Sequence, residues 1–136
     1  LISGLAKITN LEVTGNATFK GNIVVEGHFV TAGKSPQTEV LAANTSANRP
    51  QITISGNDTA GSITITTTEQ VQPGDLVKIT FVNPFDKNPK VIFNASNPEA
   101  VPIQIFREVH TDYFIIKLLS PLAANTVYEF DYFVIE

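Results

Sequence analysis

The sequence predicts an all-β chain in two parts, a short hexapeptide-repeat β stem followed by an antiparallel β-sandwich head of jelly-roll type. Three observations carry this. A six-residue period runs through the first quarter of the chain. From Gln51 onward, β-branched and aromatic runs alternate with turn-rich separators, and no stretch has helical periodicity.

Written from Leu5, the repeat reads LAKITN, LEVTGN, ATFKGN, IVVEGH, FVTAGK. Gly15, Gly21, Gly27 and Gly33 share the fifth column, with Thr9 in that place one hexad earlier. The first column is Leu5, Leu11, Ala17, Ile23 and Phe29, and the third is Lys7, Val13, Phe19, Val25 and Thr31. In an extended segment, positions one and three fall on one face, which makes Leu11, Val13, Phe19, Ile23, Val25 and Phe29 the expected stem core. Glycine in column five, followed by Asn10, Asn16 and Asn22 in column six, reads as a repeated turn, because these residues accept positive φ. On that reading Gly21→Val damages the stem more than Lys20→Val.

Such strands need a cover. A single chain winding a β-helix with three hexads per coil would complete fewer than two coils, and stacked repeats generally need about three or more units. Three chains winding together close the same core at once. An intertwined trimeric stem is therefore favoured over a monomeric β-helix or a hexad-built filament.

Residues 1–34 are assigned to the stem, 35–50 to a connector and 51–136 to the head. The connector is rich in small, polar and turn residues and holds one apolar patch, Val40-Leu41-Ala42-Ala43. In the head seven strands are expected: QITISG, SITITTT, DLVKITFV, KVIFNA, PIQIF, YFIIKLL and VYEFDYFVI. Ile52/Ile54 and Ile63/Ile65 alternate with polar residues, and Val77, Ile79 and Phe81 oppose Leu76, Lys78 and Thr80, as suits sheets with one covered face. The last segment, 126–136, places Tyr128, Phe130 and Tyr132 on one face. Its other face, Val127, Glu129, Asp131, Phe133 and Ile135, is also partly apolar, so the strand is either central or turned towards a neighbouring subunit. Tyr128, Phe130 and Tyr132 are the candidate subunit interface.

Composition narrows the function. Nine basic against thirteen acidic residues give a net charge of −4, without the basic field that nucleic-acid binding requires. Residues 1–34 carry three Lys and two Glu, so the acidity belongs to the remainder. The absence of cysteine removes disulfides, thiol nucleophiles and thiolate metal sites. No apolar run approaches the ~18 residues of a membrane span, so no membrane insertion is expected. The chain begins close to the repeat and reads as a piece of something longer.

The hexads LEVTGNATFKGNIVVEGHF resemble the low-complexity stem repeats of phage tail fibres and large bacterial surface proteins. The SGNDTAGSITITT, PGDLVKITF and LAANTVYEFDY segments are similar to a C-terminal sandwich head carried by such fibres. The resemblance covers nearly the whole chain. It implies a homotrimeric, extracellular, cell-surface or virion module whose head resembles trimeric sandwiches of the tumour-necrosis-factor and complement-C1q kind. It implies no catalytic residues and no cofactor. The Asn-Pro-Phe-Asp-Lys-Asn-Pro loop at 83–89 departs from it in being more charged and proline-rich.

The candidate sites are few. Glu108, His110 and Asp112 alternate and would share a face of an extended strand, a weak candidate metal set against the simpler reading of a solvated strand end beside Arg107. His28 replaces asparagine in column six and should point to solvent. Neither histidine lies in a context that suggests nucleophilic catalysis, and the carboxylates are too scattered for glycoside hydrolysis, so no enzyme is expected. Phe85, Tyr113, Phe114 and the aromatics of the last strand read as packing, not as a sugar platform, since tryptophan is absent. Loops 83–89 and 97–102 are the candidate recognition tip. The expected role is a trimeric fibre tip that trimerises the stem and presents a multivalent surface to a cell-surface glycan or protein receptor. The alternatives are a monomeric carbohydrate-binding sandwich and a polymerising β-helical scaffold.

Overall fold

The computed structural model describes residues 4–45 and 47–136. Among them there is no helix, and the chain divides into two compact units, Leu1–Val30 and Thr31–Glu136.

Unit two is built from eight strands: β1 (Gln37–Val40), β2 (Gln51–Gly56), β3 (Ala60–Thr66), β4 (Gly74–Thr80), β5 (Lys90–Ala95), β6 (Ile105–Val109), β7 (Tyr113–Leu118) and β8 (Val127–Ile135). They form two antiparallel four-stranded sheets, ordered β1-β4-β7-β6 and β2-β3-β8-β5. Ile52, Ile63, Ile65, Tyr128, Phe130 and Val134 from one sheet and Val77, Ile79, Phe114 and Ile116 from the other enclose one core. The strands have this face because isoleucine, valine and aromatic side chains recur at period two, and pleating sends every second one inward. β8 shows it plainly: burial alternates along all nine residues, and the strand lies between β3 and β5.

Three departures from the sequence reading have local causes. The first is the connector, which is part of the sandwich: Gln37–Val40 pairs antiparallel with β4. Val40 packs against the core, Ala42 is buried, and the amides of Leu41 and Ala42 both donate to the Leu76 carbonyl. The second lies in β4, where the register slips between Asp75 and Val77. Leu76 is the extra residue of a bulge, so Leu76 and Val77 are both fully buried and the expected opposition of the two faces fails there. The third is β6, which begins at Ile105 and not at Pro102. Residues 97–103 are taken up in successive turns, with Ala100 N donating to both the carbonyl and the Oδ1 of Asn97, Val101 N to Pro98 O and Ile103 N to Ala100 O.

Unit one, described from residue 4 to residue 30, bends at Thr9, at Thr14-Gly15, at Lys20-Gly21 and at Glu26-Gly27. The six-residue beat is thus visible in the backbone. No strand pairing is recorded within it, and all its described residues are exposed. A single extended chain has no neighbour for its N–H and C=O groups, so a ladder does not form from these hexads alone. The expected stem core, Leu11, Val13, Phe19, Ile23, Val25 and Phe29, is uncovered in the single chain.

The glycine column also needs correction. Gly15, Gly21 and Gly27 lie at backbone bends but not in the left-handed region, whereas Gly33 has a φ of 138° with no bend at its position. A Cβ built on any of those three meets nothing within 4 Å. Within one chain these glycines are required neither by conformation nor by space.

Candidate functional site

A cluster of charged and aromatic side chains lies on the outer face of sheet β1-β4-β7-β6. Antiparallel register sets Phe106 opposite Lys117 and Glu108 opposite Ile115 across β6-β7, and Asp75 opposite Lys117 across β4-β7. The Lys117 ammonium therefore lies between two carboxylates, 2.8 Å from Glu108 Oε2 and 3.0 Å from Asp75 Oδ1. Glu108 Oε1 is 3.0 Å from His110 Nε2. The hydrogen bonds from Lys117 and then His110 hold the Glu108 carboxyl below its usual range, and the bonds to Glu108 and Asp75 push the Lys117 ammonium up. The His110 ring stacks on Tyr113 at 4.4 Å, and Lys78 Nζ stands 4.3 Å from the centroid of the same tyrosine ring.

Glu108 and His110 thus do come together, but Asp112 does not join them. β6 ends at Val109, so His110 to Asp112 belong to the tight connection to β7 and lose the strand alternation that would have aligned all three. Among the described residues, no group of three or more His, Cys, Asp or Glu is arranged to hold a metal ion. The carboxylate that sequence spacing paired with His110 is instead engaged chiefly by Lys117, a residue the sequence did not single out. That pairing depends on cross-strand register, which sequence spacing does not reveal.

A second node lies in the β2-β3 hairpin, Gly56 to Gly61. The Asn57 side chain is buried: its Oδ1 accepts from the amides of Thr59 (2.9 Å) and Ala60 (3.2 Å), and its Nδ2 donates to Thr31 Oγ1 (3.0 Å). The Asn57 carbonyl accepts the Tyr132 hydroxyl at 2.6 Å. Asp58 next to it accepts from Val82 N and Asn83 N, each at 2.8 Å, and so fixes the root of the 83–89 loop. Asn-Asp-Thr is a side-chain-stabilised turn signature, and this node was open to sequence reading. Burial, and secondarily the Asp58 charge, pushes the Tyr132 phenol up to about 12.

The 83–89 loop is anchored further by Phe85 N donating to Thr111 O, by Asp86 N donating to Glu136 Oε2 and by the edge-on packing of Phe85 on Phe81. Loop 97–102 is held by Asn97, whose Nδ2 donates to Val127 O and whose Oδ1 accepts from Glu129 N. Both candidate recognition loops are therefore rigidly rooted. The larger surface depression, about 600 Å³, is lined by Asn44, Thr45, Glu69, Gln70, Gln72 and Asp75, with no aromatic wall. A smaller one of about 360 Å³ opens between β5 and β6 over Phe93, Ile103, Ile105 and Phe130.

Tyr128, Phe130 and Tyr132, the candidate subunit interface, are each 3% exposed in the single chain. They are core residues because the pleat turns them between the sheets. The opposite face of β8 is the exposed one: Phe133 is in register with Ile92 of β5, and Ile135 follows with Lys90 opposite. His28 is exposed.

No known protein family, curated protein or solved structure matches this chain at a significant level.

Proposed function

We propose that the chain is a non-enzymatic structural and attachment module, a homotrimeric fibre tip in which the hexads of three copies wind together and the head presents a multivalent surface. One observation carries this reading. Ten large apolar side chains between Leu5 and Val30 are exposed in the single chain, seven of them in the first and third columns of the six-residue repeat, while the head closes its own core. Monomeric proteins rarely leave so much contiguous apolar surface uncovered. A stable interface buries roughly 800 Å² per partner, and a strip of large apolar side chains running along five hexads is the kind of surface that supplies it. A partner of matching period is needed to cover them, and a copy of the same chain has it.

The exposed strip of Ile92, Phe133 and Ile135 is the surface on the head that suits contact between copies, in place of the buried Tyr128, Phe130 and Tyr132. The cluster around Lys117 supports a structural role, since its carboxylates are taken up by ion pairing. Anchored loops on a rigid sandwich suit receptor contact, and three linked copies raise weak contacts into avidity. An extracellular, cell-surface or virion setting fits this role. Light scattering at micromolar concentration tests the reading: a mass of three chains is expected, and a single-chain mass overturns it.

A further inference from the structure

Resting on the trimeric reading, we infer that neighbouring chains of the stem are parallel and offset by one hexad, so that Lys20 of one copy pairs with Glu26 of the next. Lys20 and Glu26 occupy the same column, the fourth, in consecutive hexads. Both are exposed and both lie at backbone bends. Among the described residues neither has an ionic partner within the chain.

The possible offsets can be compared residue by residue. With no offset, each hexad meets itself, setting Lys7 against Lys7, Glu12 against Glu12, Lys20 against Lys20 and Glu26 against Glu26. Like charges directly opposite on neighbouring strands are destabilising. With an offset of one, column four pairs Thr14 with Lys20 and Lys20 with Glu26, and column two pairs Glu12 with Thr18. Column one pairs Leu5 with Leu11 and Ile23 with Phe29, and column three pairs Val13 with Phe19 and Phe19 with Val25. Column six then stacks Asn10 on Asn16 and Asn16 on Asn22, an amide ladder of the kind that supports repetitive β assemblies. An offset of two avoids like charges but sets Lys20 against Ile8, an offset of three sets Glu26 against Ile8, and both leave the two charges without a partner. One hexad is the offset that opposes unlike charges, at Lys20 and Glu26, while the apolar pairing runs unbroken from Leu5 to Phe29 in column one and from Val13 to Val25 in column three, where Lys7 and Thr31 lie at the ends.

The offset closes on itself. Three chains, each one hexad ahead of its neighbour, return the first chain to the same face three hexads later, which is the repeat of a three-sided winding. It also gives the glycines a reason that the single chain lacks. Gly15, Gly21 and Gly27 have open space and ordinary φ on their own, so their requirement arises where a neighbouring backbone passes close by.

Charge exchange tests the pairing. Lys20→Glu and Glu26→Lys should each lower the melting temperature of the trimer by several degrees at low salt, and the double exchange should restore most of the loss. High salt should shrink the single-variant effects. Cysteine offers an independent check, because the chain has none of its own. Under mild oxidation the Lys20→Cys/Glu26→Cys double variant should give covalently linked trimers, whereas Lys20→Cys alone should give uncrosslinked chains. A wild-type trimer whose charge losses simply add, or whose Lys20→Cys variant crosslinks to itself, overturns the one-hexad offset and leaves the trimer intact. A wild-type monomer overturns the trimeric reading and the offset with it.

Discussion

At the scale of single residues, the hairpin between β2 and β3 concentrates the constraints. Gly56 has a φ of 109° and Gly61 sits under the Tyr132 ring, where a Cβ would lie 2.6 Å from the tyrosine hydroxyl and collide with the Ser55 carbonyl. Gly61→Ala must part β2 from β3, and a loss of about 2 kcal/mol or more is expected in denaturant unfolding. Tyr132→Phe removes one hydrogen bond to the Asn57 carbonyl and leaves packing unchanged, so a loss of about 1 kcal/mol is expected by the same measurement. The phenol also sets a pH limit. Its folded pKa is raised above the ordinary 10.0 to about 12, so the neutral form is the one folding favours. That contribution is complete below pH 10 and declines as the pH rises from there towards 12. In wild type the melting temperature should fall over this window, and in Tyr132→Phe this component of the fall should be missing. Glu108 acts in the opposite direction. Its pKa is lowered by Lys117 and His110, so its support is present above the ordinary value of 4.5 and is lost as the pH falls below it.

At the scale of elements, the bulge in β4 and the hexad turns show how alternation is modified. Leu76 and Val77 are both fully buried because the strand takes an extra residue, and the bulge carbonyl receives the amides of Leu41 and Ala42. Leu76→Ala should cost about 2–5 kcal/mol in chemical denaturation, the range for a large core side chain reduced to a methyl. In the hexads, Gly21 has no steric or conformational need for glycine in the isolated chain, which removes the turn-based reason for expecting Gly21→Val to be harmful. On the proposed trimeric reading, Gly21→Ala should leave the unfolding of the head unchanged and lower the stability of the assembled stem alone, read as separate transitions in calorimetry. The strands were largely legible from composition: β2, β5 and β8 fall where the alternating runs stand, and β3, β4 and β7 differ by a residue or two at their ends. β1 was not legible. QTEV has no apolar alternation of its own and becomes a strand only because the edge of β4 offers it backbone partners.

At the scale of the whole molecule, the two units differ in what they complete by themselves. Thr31–Glu136 encloses one contiguous core and contains its own tie to Thr31 through Asn57. A protein starting at Thr31 should fold with a single cooperative transition, checked by circular dichroism, and should show a smaller assembly mass than the full chain. Among the described residues of unit one the apolar groups are exposed and the backbone is unpaired, so on the proposed trimeric reading its order should follow assembly.

The sequence by itself determined the all-β class, the six-residue beat, the place of most head strands and the two-residue alternation of β8, because all of these follow from local chemistry: side-chain period, β-branching and turn residues. Tertiary structure decided the sheet order, the recruitment of 37–40 as an edge strand, the bulge at Leu76 and the engagement of Glu108 by Lys117 and His110 without Asp112. It also decided that Tyr128, Phe130 and Tyr132 face the core of their own chain. The reason is common to these cases: pairing between residues distant in sequence is fixed by register and by which face of a sheet another layer covers, and neither quantity is encoded in the spacing of nearby residues.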